Sequence, residues 1–174
     1  MIAEALELFH DARQHVVAVV NADADPDRRY WQRVDVGVYS HRIHHLNLLR
    51  DLQDKTGGFN SFIPLKYRNE NNALSDLPEI SFEEDMRNFC VSRIFLDNIK
   101  HLKAYWVMLG IDNAVEALSY GVDDLDGTVD DSTKIYSMAG GMENPALTSD
   151  VLRELIVGKG KIPVERDSLY QKVL

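Results

Sequence analysis

The chain is poor in cysteine. Cys90 is the only one in 174 residues. One thiol cannot close an internal disulfide, and it cannot hold an iron–sulfur cluster, which takes several thiolates. Flanked by Phe89 and Val91, Cys90 reads as a small buried hydrophobe on a helix. Also missing is any apolar run of membrane-spanning length. The first residues lack the basic start and long apolar stretch of a signal peptide, so the expectation is a cytoplasmic protein without membrane partners. Clustered basic residues are scarce too. The formal net charge is −9, which argues against a nucleic-acid surface, since phosphate neutralisation needs grouped Lys and Arg. It leaves room for a small anionic ligand, held by one local cation or a helix N-terminus. Internal repeats and low-complexity stretches are absent as well.

What is present is ordinary globular material, 45% hydrophobic and 27% charged, long enough for one domain with a real core. The informative stretch runs from residue 88 to 129, NFCVSRIFLDNIKHLKAYWVMLGIDNAVEALSYGVDDLDGTV. Phe89, Ile94 and Phe95 suggest a helix that Asp97-Asn98 breaks. His101 to Leu109 reads as a buried strand, with His101, Lys103, Tyr105 and Val107 on one face and Leu102, Ala104, Trp106 and Met108 on the other. Gly110 stops it. Asn113 is placed to cap a helix carrying Ala114, Val115, Ala117 and Leu118. Gly121-Val122 opens a further strand whose carboxyl end is crowded by Asp123, Asp124 and Asp126. Strands alternating with helices imply βαβ units and a parallel sheet. Such sheets bind ligands at the carboxyl ends of their strands. Lys103 needs a partner if it faces a barrel lumen, with Asp124 and Asp126 the candidates; alternatively it reaches water at the barrel floor.

Upstream, residues 1–22 show helical periodicity in Ala5, Leu6, Phe9, Ala12, Val16, Val17 and Val20. His10 and His15 share no helical face well, so they make no metal pair. Asn21 to Arg29 is a polar loop, and Val34, Val36 and Val38 alternate as in a short strand within Tyr30–Tyr39. His41 to Lys55 reads as a helix with Ile43, Leu46, Leu49 and Leu52 inward and Arg42, Arg50 and Asp51 solvated. His41 and His45 are four apart, but no third ligand lies nearby, so a structural role is expected and no metal site is assigned. Thr56-Gly57-Gly58 ends that helix. Phe59–Leu65 is a strand closing near Pro64. Ser81 and Glu84 have capping-box spacing for a helix to about Leu96, with Arg87 and Arg93 available to its acidic residues. Thr148 caps another helix, Ser149 to Val157, ended by Gly158 and Gly160. Ile162–Asp167 is an extended piece and Ser168–Leu174 a tail.

SRIFLDNIKHLKAYWVMLG, YGVDDLDGTV, HRIHHLNLLRDLQDKTGGFNSFIPLKYRNENN, KIYSMAGG and KIPVERDSLY together resemble the C-terminal half of aminofutalosine synthase. That family comprises radical S-adenosylmethionine (SAM) enzymes of the futalosine route to menaquinone. Cyclic dehypoxanthine futalosine synthase and the deazaflavin cofactor synthases share a looser version; LDG and PVERDSLY favour aminofutalosine synthase. The resemblance covers roughly residues 41–174 and implies α/β architecture: the C-terminal half of a (β/α) TIM-like radical SAM barrel with parallel strands, preceded by an N-terminal helix and loop (1–40) of no recognised family. It implies an enzyme that cleaves SAM at a [4Fe–4S] cluster and adds the adenosyl radical to an enolpyruvyl-oxybenzoate. The three cluster cysteines belong to the barrel's first half, so no cluster is expected on this chain.

Strand-end position and the family match together mark a set of binding residues: Glu70 and Asn71 after the Phe59 strand, Asp124, Asp126 and Thr128, with Lys103 added from its place on the strand. They would take a nucleoside or carboxylate ligand; no catalytic residue is assigned. The chain departs from the family at Arg68-Asn69, where histidine and proline are usual. It departs again at Thr133 and Ser137, where glutamate and histidine are expected beside Asp130 and Asp131. The competing expectation is a non-catalytic half-barrel that binds nucleotide weakly or only pairs with another subunit. Its partner would be a missing N-terminal half-barrel or a second copy, because open parallel edges invite pairing unless the N-terminal segment covers one.

Overall fold

A computed structural model describes residues 16–19, 39–70, 75–128, 138, 141 and 145–173. The predicted elements at 1–15 (with His10 and His15) and 20–38, together with Asn71, Asp130, Asp131, Thr133 and Ser137, lie outside the described residues. In chain order the elements are β1 (Val16–Val19), α1 (Tyr39–Thr56), β2 (Phe59–Ile63), α2 (Phe82–Phe95), β3 (His101–Leu102), α3 (Trp106–Leu109), α4 (Ile111–Ala117) and α5 (Ser149–Gly158). The three strands form one sheet in the order β1-β2-β3, and both pairings are parallel. The mixed α/β reading with parallel strands therefore holds.

β1 corrects the helical reading of residues 16–19. Three of its four residues are valine, stiff at χ1 and suited to a pleated surface. Val17, Ala18 and Val19 pair with Ser61, Phe62 and Ile63, after an irregularity next to Val16. The backbone groups offered by β2 outweigh a 3.6-residue pattern. This strand covers the edge that β2 would otherwise present.

β3 is the second correction. Only His101 and Leu102 form a regular strand, and the ladder ends with Lys103 N donating to Phe62 O at 2.9 Å. Tyr105 then starts the helical turn α3 in place of continued strand, and Trp106, Val107 and Leu109 are all buried. A stretch buried on both faces loses the two-residue alternation that would mark a strand. Gly110, at φ 90°, is the cap of α4 as well as the end of α3. Asn113 is inside α4, donating to Leu109 O at 3.1 Å, so the predicted cap is shifted by three residues. The further strand at 122–126 is reduced to one parallel bridge, Lys103 with Asp124. Two bonds flank it: Asp123 N to Leu102 O at 3.1 Å and Ala104 N to Asp124 O at 2.8 Å.

The helices α2 and α5 follow their sequence signals closely. Ser81 Oγ accepts from Glu84 N, capping α2. Thr148 Oγ1 accepts from Val151 N, capping α5. The first turn of α2 carries Glu83, Glu84 and Asp85, the favourable sign for its dipole. Phe89 is in the core, but Ile94 is 79% exposed, because five residues carry it about 140° around the helix. Arg42 and Arg50 are not simply solvated. Arg42 reaches Glu84 and Asn88 at 2.5 and 2.6 Å, and Arg50 reaches Asp97 and Phe95 O, tying α1 to α2. Arg87 pairs with Glu84 at 2.8 Å. Arg93 turns away from its helix to Asp123 at 2.7 Å. Phe62, Phe89, Leu102, Trp106 and Ala114 meet between sheet and helices as one core.

Candidate functional site

β3 and the Asp124 bridge end at the same level, and three of the predicted residues gather there. Lys103 is only 6% exposed. Its ammonium donates to Asp126 Oδ1 at 2.9 Å, so it does not reach water at the barrel floor. Asp124, 8% exposed, has both oxygens engaged. Oδ1 accepts from Asp126 N at 2.6 Å, and Oδ2 accepts from Arg166 Nε at 3.0 Å and Nη2 at 2.6 Å. Asp126 occupies the left-handed region at φ 70°, which aspartate tolerates better than most residues because its side chain bonds locally. That turn brings its carboxylate back over Lys103. The indole of Trp106 donates to Gly127 O at 3.0 Å and fixes the next residue.

Within this group the two aspartates differ in availability. Asp124, one of the predicted binding residues, is spent on bonds within the chain. Asp126, with 28% of its side chain exposed, presents a carboxylate anchored by an enclosed ammonium, with acceptors that suit a diol. Gly127 and Thr128 follow on the exposed side. A Cβ built on Gly127 would meet nothing within 4 Å, so packing within the chain does not dictate glycine. Glu70 is exposed in the loop after β2, a different strand end. In that loop Arg68 pairs with Glu79 at 2.9 Å, and Asn69 N donates to the same carboxylate at 3.2 Å.

Sequence reasoning missed the C-terminal contribution. Residues 165–173 are no plain tail but a narrow hairpin: Arg166 bridges Lys172, Val173 N donates to Glu165 O, and Asp167 N to Gln171 O. Arg166 lies over the Tyr170 ring, 4.6 Å from its centroid. That ring stacks on His101 at 3.7 Å with planes 5° apart. His101 Nδ1 is 2.7 Å from Asp123 Oδ2. Burial opposes the charge on Arg166, but Asp124 outweighs it and holds the guanidinium above its ordinary pKa. Burial also pushes the Tyr170 phenol well above its usual range. The available signal was chemical: an acidic cluster drawn into a core needs more cation than Lys103 supplies, and Arg166 stands in the distinctive PVERDSLY string.

His41, His44 and His45 lie on α1, where burial and then the neighbouring His44 hold His45 below its ordinary pKa. Among the described residues no group of three or more His, Cys, Asp and Glu could hold a metal ion. Cys90 is half-buried on α2. No described helix is long and apolar enough to cross a membrane.

A parallel sheet with crossover helices and a charged turn at the carboxyl ends of its strands defines an α/β protein, a class whose ligands in general lie at that rim. More specifically, residues 56–173 match the family described as the CofH/MqnC C-terminal region, and the chain belongs to that family. It is 43% identical over 136 residues to the aminodeoxyfutalosine synthase of Thermus thermophilus, which covers 76% of this chain and 36% of that protein. It is 35% identical over 133 residues to the cyclic dehypoxanthine futalosine synthase of Streptomyces coelicolor, covering 76% and 33%. A 5-amino-6-(D-ribitylamino)uracil–L-tyrosine 4-hydroxyphenyl transferase of Haloarcula marismortui is 35% identical over 136 residues, covering 76% and 30%. The chain thus spans about a third of the length of these curated relatives. The resemblance to aminofutalosine synthase read from the sequence is a true relationship.

Proposed function

We propose that the chain forms the C-terminal part of a radical SAM barrel of the aminofutalosine synthase type. In that reaction, as the resemblance implies, the adenosyl radical of SAM adds to an enolpyruvyl-oxybenzoate on the futalosine route to menaquinone. The three strands and the Asp124 bridge are then part of a (β/α) barrel, completed by a first half that carries the cluster. The observation that carries the reading is the Lys103–Asp126 pair at the carboxyl strand ends, in the turn that the family strings share. Asp126 would accept hydroxyls of the adenosyl or nucleoside group, and Lys103, enclosed beneath it, would hold that carboxylate in place for the ligand. Glu70, Asn71 and Thr128 would extend the contact from neighbouring loops. Asp124 would act behind Asp126 as its support.

The residues of this chain do not fit a [4Fe–4S] cluster. Such a cluster needs several thiolates, and Cys90 is the sole cysteine. What these residues can do is bind and orient, so binding is the property to measure.

Calorimetric titration of adenosine and of SAM into wild type, Asp126→Ala and Asp51→Ala tests the reading; Asp51 is exposed on α1. A charge-assisted hydrogen bond contributes about 1.5–3 kcal/mol, so Asp126→Ala should weaken binding roughly ten- to a hundredfold. Asp51→Ala should match wild type. Equal weakening in both variants, or no binding by wild type, overturns the assignment.

A further inference from the structure

We infer that Arg166, from the C-terminal hairpin, is a positioning residue for the Lys103–Asp126 site and acts through Asp124. For its ligand, though not for its geometry, the inference rests on the binding role proposed above. The contacts form one chain of dependence. Arg166 places two donors on Asp124 Oδ2 at 3.0 and 2.6 Å. Asp124 Oδ1 accepts the amide of Asp126 at 2.6 Å. That amide bond holds Asp126 in its left-handed turn, φ 70°, and the turn delivers the Asp126 carboxylate to Lys103 at 2.9 Å. Arg166 Nη2 is itself 3.7 Å from Asp126 Oδ1, so it supports the turn while leaving the closer contact to Lys103.

Two things make this more than one ion pair among many. First, Asp124 is buried, with 6% of its side chain exposed. A buried carboxylate deprived of its cation recruits another or draws in water. Among the described residues the other cation paired at this turn is Lys103, and taking it would strip Asp126 of its partner. Second, Arg166 is itself pre-set. Its guanidinium lies on Tyr170, Tyr170 lies on His101, and His101 is held by Asp123. Asp167 Oδ1 accepts from Leu169 N at 2.9 Å and Gln171 N at 2.8 Å, closing the hairpin turn behind it. A fork with two aligned donors differs from a point cation, so lysine should not replace Arg166 fully.

The experiment follows amide hydrogen exchange by NMR in wild type, Arg166→Gln and Arg166→Lys, with adenosine titrated into each. The Lys103 amide, bonded to Phe62 O within the sheet, serves as an internal reference. Arg166→Gln should speed exchange at Asp126 about tenfold or more relative to Lys103 and weaken adenosine binding by a similar factor. Arg166→Lys should fall between. Exchange at Asp126 that is unchanged, or that rises equally at Lys103, overturns the inference, the second result marking a purely structural residue. Should Arg166→Gln fail to fold, Arg166→Lys alone decides, because selective loss at Asp126 is required of it too. If wild type fails to bind adenosine, the nucleoside reading falls, and the exchange ratio still decides whether Arg166 positions the turn.

Discussion

Lys66 and Lys103 each stand where a parallel strand gives way to a loop, and each meets an aspartate. The two pairs differ in what surrounds them. Lys66 is 2.5 Å from Asp85, with side chains 8% and 6% exposed, and also donates to Ile80 O. Both partners are enclosed, and each is satisfied by the protein. Lys103 is as enclosed at 7%, but its partner Asp126 is 28% exposed. The first pair is sealed and holds α2 against the loop after β2. The second keeps one charged face toward solvent, as a binding group must. Lys–Asp pairing at a strand end is therefore no mark of a site by itself; unequal burial of the partners separates the two uses.

Breaking the sealed pair should have the largest effect. Lys66→Met keeps the apolar stem but strands Asp85, and removing one partner of a buried pair costs about 3–5 kcal/mol. Burial raises the Asp85 pKa above 3.8, with Lys66 opposing. A carboxyl with a raised folded-state pKa contributes stability that is fully present below the unfolded value. That contribution is lost as pH rises through the folded value. Without Lys66 the Asp85 pKa rises further, so the deficit of Lys66→Met should be greatest near neutral pH. It should shrink as pH falls toward 3.8. Denaturant unfolding across that range checks it; a pH-independent deficit would show that Asp85 is not the stranded group.

Next in size comes Gly121→Ala, which tests what braces the other end of the Asp124 segment. Gly121 has φ 96°, and a Cβ there would sit 2.9 Å from Arg93 Cβ and Cγ. Arg93 also donates to Gly121 O at 2.7 Å. Strain plus displacement of Arg93 should cost about 1–3 kcal/mol, read as a lowered unfolding midpoint. An unshifted midpoint would mean that the segment relaxes freely.

Much of this was legible from residues alone. Helix starts at Ser81 and Thr148 were readable because a side-chain oxygen three residues before a backbone donor is local chemistry. For Lys103 the candidates Asp124 and Asp126 were readable, because a charge between apolar neighbours must be answered nearby, but the choice between them, and against water, came from the structure. What failed was non-local. Val16–Val19 became a strand because β2 offered it an edge, and residues 105–109 left the strand state because burial on both sides erased their period. Arg166 lies 42 residues from Asp124, and no spacing rule reports such a pair. The site divided likewise: the acidic cluster before Gly127-Thr128 was visible at the end of an apolar run, whereas the left-handed turn at Asp126 and its support from the hairpin were not.

Lys103→Met is the counterpart of Lys66→Met and sharpens the contrast directly. The stranded carboxylate is Asp126, which reaches water, so the cost should be about 1 kcal/mol. A penalty as large as that of Lys66→Met would mean that the two pairs are alike and that exposure of Asp126 does not matter.

The smallest expected effect on stability belongs to Gly127→Ala, and it is the most discriminating. Gly121 and Gly127 flank the same acidic segment, but a Cβ on Gly127 meets nothing within 4 Å, against 2.9 Å contacts at Gly121. Gly127 needs no left-handed φ either, as that conformation belongs to Asp126. A surface change of this kind stays within about 0.5 kcal/mol. Trp106 bonds the Gly127 carbonyl, which an added methyl leaves in place. If glycine is there to let a ligand lie close to the backbone, Gly127→Ala should weaken adenosine binding about tenfold while the unfolding midpoint stays put. Unchanged affinity would mean that the ligand does not approach the Gly127 backbone and meets only the side chains of Asp126 and Thr128.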